Sequence, residues 1–88
     1  MTREEIDEFV ELVAPEHEDD ILLADDLDRA FLGIMFDPAR AVYSIELCIS
    51  ELSRDMSKSE AEDYFYYNVE RGASYMGEHA PIFISTPG

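Results

Sequence analysis

The side chains of this 88-residue chain that could carry chemistry are two histidines, one cysteine, five tyrosines and twenty-one carboxylates. Carboxylates can act as general acids and bases, ligate hard cations or form an anionic surface, and their spacing decides which. His17 and His79 stand far apart, and neither has a second histidine or a cysteine at ligand spacing, so no zinc site is expected. The stretch Glu16 to Asp28 holds seven acids in thirteen residues, a composition that suits calcium. The EF-hand order, with its central glycine and closing glutamate, is absent from it. No serine sits in a nucleophile-elbow motif, and the four glycines are scattered, so neither acyl transfer nor a phosphate loop is indicated. A pair of carboxylates can be drawn from 21 acids at will and carries no information. The expectation is a protein without catalytic residues, metal or cofactor.

Charge is the more informative property. The net charge is −15, and residues 1–28 hold twelve acids against Arg3 alone, a net −11. Residues 29–88 hold nine acids against five bases, a net −4. Such a field repels nucleic acid and anionic membrane and attracts basic protein surfaces. Apolar residues make up 47% of the chain, too many for a disordered acidic tail. No apolar run approaches the roughly 20 residues needed to span a bilayer, and the N-terminus lacks the regions of a secretory signal. A soluble, cytoplasmic protein is expected. Cys48 excludes an internal disulfide and falls on a predicted apolar face, which predicts a buried thiol.

The elements that must position these groups make one domain over residues 1–88, an acidic segment 1–28 followed by a hairpin, two helices and a strand in 29–88. Thr2 with Glu5, and Ser57 with Glu60, are capping boxes. After the first, Ile6, Phe9, Val10 and Val13 recur at helical spacing and predict a helix over about 3–14, ended by Pro15. Its other side carries Glu4, Asp7, Glu8 and Glu11. Glu4–Glu8 and Asp7–Glu11 are like-charge pairs that each cost about 0.2–0.5 kcal/mol, so the face is either merely solvated or kept acidic for a partner. Ile21, Leu22, Leu23 and Leu27 interrupt the next acidic run and should dock part of it on the core. The apolar run Ala30 to Phe36 reads as a strand buried on both faces, with a short buried helix as its competitor. Asp37-Pro38 offers a turn, and Ala41-Val42-Tyr43 returns. Ser44 then caps a helix over 45–54 with the stripe Ile45, Cys48, Ile49 and Leu52. A third helix over 58–72 buries Ala61, Phe65, Asn68 and Val69, and Pro81 to Ser85 closes the fold as a strand. The class is α+β, with a short antiparallel three-stranded sheet packed against about three helices.

Tyr66 and Tyr67 fall off the buried face of the third helix, beside Glu62, Asp63 and Glu70. Outward aromatics among carboxylates suit contact with a basic protein, the alternative being that they pack on the first helix or the hairpin. The candidate partner-binding residues are therefore Glu4, Asp7, Glu8, Glu11, Glu16, Glu18, Asp19, Asp20, Asp25, Asp26, Tyr66 and Tyr67.

Over about residues 29–84 the chain resembles small, acidic, mostly uncharacterised proteins of bacteriophages and mobile elements. The residues that carry the resemblance are Met56-Ser57, Glu60-Ala61, Tyr64-Phe65 and Asn68, then Gly77-Glu78 and Pro81-Ile82-Phe83. The chain departs from that pattern in its Asp-rich segment before residue 29 and in Asp37-Pro38-Ala39. The resemblance implies a phage context, in which small acidic proteins disarm host defences, as anti-CRISPR and anti-restriction inhibitors do. Combined with the charge, it leads to an acidic inhibitor acting as a DNA mimic in the host cytoplasm. The partner would be the basic surface of a nucleic-acid-binding protein or CRISPR effector, with no direct binding to nucleic acid or membrane. Two other readings stay open: an antitoxin-like or assembly partner, and the acidity of a salt-loving organism. The second should spread acids over the whole surface.

Overall fold

Three hydroxyls start three helices. In the computed structural model, which describes residues 1–87, Thr2 Oγ1 accepts from the Glu5 amide at 3.2 Å, Ser44 Oγ from the Leu47 amide at 3.1 Å and Ser57 Oγ from the Glu60 amide at 3.2 Å. Each satisfies an amide that a helix start leaves free. The helices are α1 (Arg3–Val13), α2 (Ile45–Leu52) and α3 (Lys58–Tyr64). The first cap is a full box, since the Thr2 amide donates to Glu5 Oε1 at 2.9 Å. At Ser57 only half of the box forms: the Ser57 hydroxyl itself donates to Glu60 Oε1 at 3.1 Å, so the Glu60 carboxylate does not return to the amide.

The chain continues past α3 through a π-helical stretch, Phe65–Glu70, and a last α turn, α4 (Arg71–Ala73). This stretch corrects one expectation. A π turn takes more residues per revolution than the 3.6 of an α-helix, so each residue rotates less about the axis. Val69 therefore comes round to the core, half-buried, and Asn68 lags into solvent instead of sitting at the centre of the buried face. Ala61 and Phe65 are fully buried as expected.

The strands are β1 (Phe31–Met35), β2 (Arg40–Ser44) and β3 (Ile82–Ile84), in the order β1-β2-β3. β1 and β2 form the antiparallel hairpin, with a register irregularity between Phe31 and Gly33. β3 pairs with β2 in parallel, so the α+β class holds but the sheet is mixed, not antiparallel. A parallel neighbour requires a crossover, and the helices between Ser44 and Ile82 supply it. β1 is also not the doubly buried strand its apolar run predicts. It is an edge strand, and Leu32, Met35 and, just beyond it, Phe36 are exposed. The central strand is β2, in which Ala41 and Tyr43 are fully buried.

A row of rings crosses this sheet. Phe9 of α1 meets Phe31 with centroids 6.1 Å apart, and Phe31 meets Tyr43 at 5.7 Å. Tyr43 meets Phe83 at 5.6 Å, and Phe83 meets Phe65 at 5.1 Å. Most of these contacts are edge-on, the arrangement that ring quadrupoles favour, each worth about 0.5–1.5 kcal/mol beyond the area buried. Cys48 lies in the same core, where burial pushes its thiol up to about 12. Before β3 the chain turns at Gly77, whose φ of +92° is open to glycine and strained for other residues.

Candidate functional site

The acidic surface is built on α1 and on the segment after it. The apolar stripe of α1 is buried through Ile6 and Val10, with Phe9 packed beside them. That fixes Glu4, Asp7, Glu8 and Glu11 on the outside, where all four are exposed. Glu5 is set apart from them. Its hydrogen bonds with the backbone and side chain of Thr2 hold its carboxyl below the usual carboxylate range, so it belongs to the cap.

Residues 15–30 return along the same side, anchored by Ile21, Ala24 and Leu27 in the cluster that contains Ile6, Val10 and Ala14. Polar ties complete the docking. The buried Ala24 amide donates to the Tyr43 hydroxyl at 2.9 Å. Arg3, the single base of residues 1–28, donates to Asp28 Oδ1 at 3.1 Å and to the Ala24 carbonyl at 3.3 Å. Burial works against its charge, but the hydrogen bond and charge of Asp28 outweigh this and raise its pKa. Arg3 is thus spent on an internal staple. Its other carboxylate contact, Asp25 at 3.9 Å, is to a side chain almost fully in water and contributes little.

Glu16, Glu18, Asp19, Asp20, Asp25 and Asp26 are all exposed. Among the described residues no ion pair within 4.0 Å reaches Glu4, Asp7, Glu8, Glu11, Glu16, Glu18, Asp19 or Asp26. Two of the groups meet: Asp7 and Val10 of α1 face Glu18, Asp19, Ile21 and Leu23 across a groove of about 310 Å³. Glu4, Asp7, Glu8 and Glu11 with Glu18 and Asp19 form an anionic ridge on an apolar footing, whereas Asp20 and Asp25 have His17 and Arg3 within 4.0 Å.

Tyr66 and Tyr67 are exposed, in line with the outward reading and not with packing on α1 or the hairpin, but they are not part of this ridge. Tyr66 extends the aromatic row beyond Phe65, at 5.2 Å, and so lies at the far end of the row from Phe9 and α1. It borders a groove of about 620 Å³ between α2 and α3, lined also by Ile45, Ile49, Lys58 and Glu62. Tyr67 carries the Arg71 guanidinium over its ring at 5.6 Å. The twelve candidate residues therefore do not form one surface. Asp7, Glu18 and Asp19 share a groove, Asp26 borders another with Glu51, Arg54 and Asp55, and Asp25 a third with Tyr64 and Asn68. Tyr66 and Tyr67 lie apart from the acids of α1.

Two arrangements escape sequence spacing. Glu46 accepts from the Thr86 amide at 2.6 Å, and this hydrogen bond holds its carboxyl below the usual range. His17, Asp20 and His79 come together from opposite ends of the chain, with one ligand-type atom of each within 4.8 Å of the others. Only the i, i+3 spacing of His17 and Asp20 was visible locally. No helix among the described residues is long and apolar enough to cross a membrane. Comparison of the chain with protein-family models, curated proteins and solved structures gave no match.

Proposed function

We propose that this protein is an inhibitor whose acidic ridge occupies a nucleic-acid-binding surface of a host defence protein, in the manner of a DNA mimic. The observation that carries the reading is that the exposed carboxylates of Glu4, Asp7, Glu8 and Glu11, with Glu16, Glu18 and Asp19, have no ion pair within 4.0 Å among the described residues, while Arg3 is consumed internally. The spacing supports it quantitatively. At 1.5 Å of rise per residue, Glu4 to Glu11 cover about 10 Å, and four carboxylates besides that of the capping Glu5 stand in that length. One strand of duplex DNA presents a charge about every 3.4 Å of axis, or roughly three in the same distance. A Lys/Arg track built for phosphates therefore meets a comparable charge density on α1. The resemblance to proteins of mobile elements supports the host-defence setting.

The test is affinity capture from host lysate with the wild-type chain and with a variant in which Glu4, Glu8 and Glu11 are changed to Gln and Asp7 to Asn. A DNA- or RNA-binding protein retained by the wild type and lost by the folded variant supports the reading. Equal retention by both overturns it and moves the functional surface to Tyr66 and Tyr67.

A further inference from the structure

We propose that His17, Asp20 and His79 form a binding site for a divalent transition metal of the zinc type, which clips the acidic segment to the loop before β3. Local backbone structure brings the first two ligands together. The His17 carbonyl accepts from the amides of Asp20 at 2.9 Å and Ile21 at 3.0 Å, closing a turn that returns the Asp20 side chain to the imidazole. Asp20 Oδ2 then lies 3.3 Å from His17 Nδ1. The third ligand comes from the far end of the chain. The His79 carbonyl accepts from the Leu22 amide at 3.3 Å, which pins the 77–81 loop against this turn and brings the two imidazole centroids to 5.4 Å.

The protonation pattern of His79 suits ligation. Its Nδ1 stands 2.8 Å from the Ala39 carbonyl, which can only accept, so the neutral ring keeps its proton on Nδ1 and presents Nε2 as its lone-pair atom. A carbonyl that fixes the tautomer and orientation of a histidine is the usual outer support of a metal ligand. Glu78 Oε1, 3.5 Å from the same Nε2, adds a further negative charge beside the site.

The dimensions fit with a small closure. Tetrahedral bonds of about 2.0–2.1 Å place ligand atoms about 3.3 Å apart. The His17–Asp20 edge already has that length, and the longest separation in the trio is within 4.8 Å. Torsion of the half-exposed Asp20 and His17 side chains, 54% and 34% exposed, can close the difference. Two imidazoles and one carboxylate select zinc and its first-row neighbours over calcium and magnesium, which prefer all-oxygen shells. Three protein ligands leave a fourth position open to solvent.

The experiment is calorimetric titration of the metal-free full chain with zinc chloride, in millimolar magnesium that occupies the diffuse acidic surface. The expected result is one zinc per chain and a raised unfolding temperature. Cobalt in place of zinc should give the visible absorption of a low-symmetry four-coordinate ion. His17→Gln and Asp20→Asn, confirmed folded by circular dichroism, should each weaken zinc binding by at least about tenfold. Neutralising Glu4, Asp7, Glu8 and Glu11 should leave it within about twofold, because none of those four side chains belongs to the trio. His79→Gln should abolish the cobalt spectrum; if that variant unfolds, the other two substitutions carry the test alone. Zinc binding that magnesium displaces, or that survives His17→Gln and Asp20→Asn undiminished, would be condensation on an acidic surface and would overturn the proposal. The titration uses the protein by itself, so its outcome is independent of the inhibitor reading.

Discussion

Residues 1–28 and residues 29–87 are held by different means. The second region contains the whole sheet, and its stability comes from the β-ladder and from rings packed edge-on between strands and the π segment. The first contributes one amphipathic helix and a looped segment that rest on that body through the buried residues of α1, through Ala14, Ile21, Ala24 and Leu27, and through a few polar ties. Carboxylates differ between the regions in degree, since Asp37, Asp55, Glu62, Asp63 and Glu70 of the second region also have no ion pair within 4.0 Å among the described residues. Glu46, Glu51 and Glu60 of the second region each accept a hydrogen bond within it, whereas most acids of the first have no partner within reach. The acids of the first region nevertheless stand on a buried footing, since Ile6, Val10, Ala14, Ile21, Ala24 and Leu27 all lie in the core cluster.

If the second region is the structural body, damage to its ring row should have the largest effect. Phe65→Ala removes a fully buried ring that touches both Phe83 and Tyr66, and should cost about 3–5 kcal/mol by leaving a cavity. In a domain with roughly 5–15 kcal/mol in total, chemical denaturation would show a large loss of midpoint. A nearly neutral result would place the stabilising core elsewhere.

Tyr43→Phe sharpens the comparison, because it keeps the ring in the row and removes only the tie to the first region. The buried Ala24 amide loses its acceptor, at a cost of about 1–3 kcal/mol. Hydrogen exchange should speed up at Ala24 and its neighbours much more than in β2. Uniform acceleration across the chain would mean that the two regions unfold as one unit.

The smallest expected effect is at Glu46, whose contact with Thr86 lies wholly within the second region. Its folded-state pKa is depressed by the Thr86 amide, so its contribution is present above the unfolded carboxylate pKa and is lost as pH falls through the folded one. Glu46→Gln should therefore lower the melting temperature slightly at pH 7, and the difference from wild type should shrink on acidification through the carboxylate range. A difference that grows at low pH would contradict the assigned hydrogen bond.

What was legible in the sequence is what local spacing encodes. Thr2 with Glu5 and the stripe Ile6, Phe9, Val10 announce α1, and the exposure of Tyr66 and Tyr67 follows from the wheel around Phe65. Asn68 departs from the wheel because a wheel assumes one rotation per residue and the π segment changes it. The direction of β3 was illegible because Pro81 to Ile84 favours a strand without specifying its neighbour's sense. The apolar run of β1 predicts a strand buried on both faces, but burial depends on strand order, which lies outside the strand. At the site, the carboxylates of α1 could be listed from their face, but the consumption of Arg3 by Asp28 and Ala24 could not. The meeting of His17 with His79 depends on the Leu22–His79 backbone contact and has no local signature.

The central claim is that the acidic ridge takes the place of nucleic acid on a basic protein surface. Its most direct test is the affinity of a captured partner for the wild-type chain as duplex DNA is added, at two or more salt concentrations. The account predicts mutually exclusive binding, an affinity that falls as salt rises, and loss of most of that affinity in the folded variant lacking the carboxylates of Glu4, Asp7, Glu8 and Glu11. The same variant should be as stable as wild type or slightly more so, since two repulsive pairs worth about 0.2–0.5 kcal/mol each are gone. A ternary complex of partner, DNA and this protein, with an affinity indifferent to salt and to the four substitutions, would contradict it.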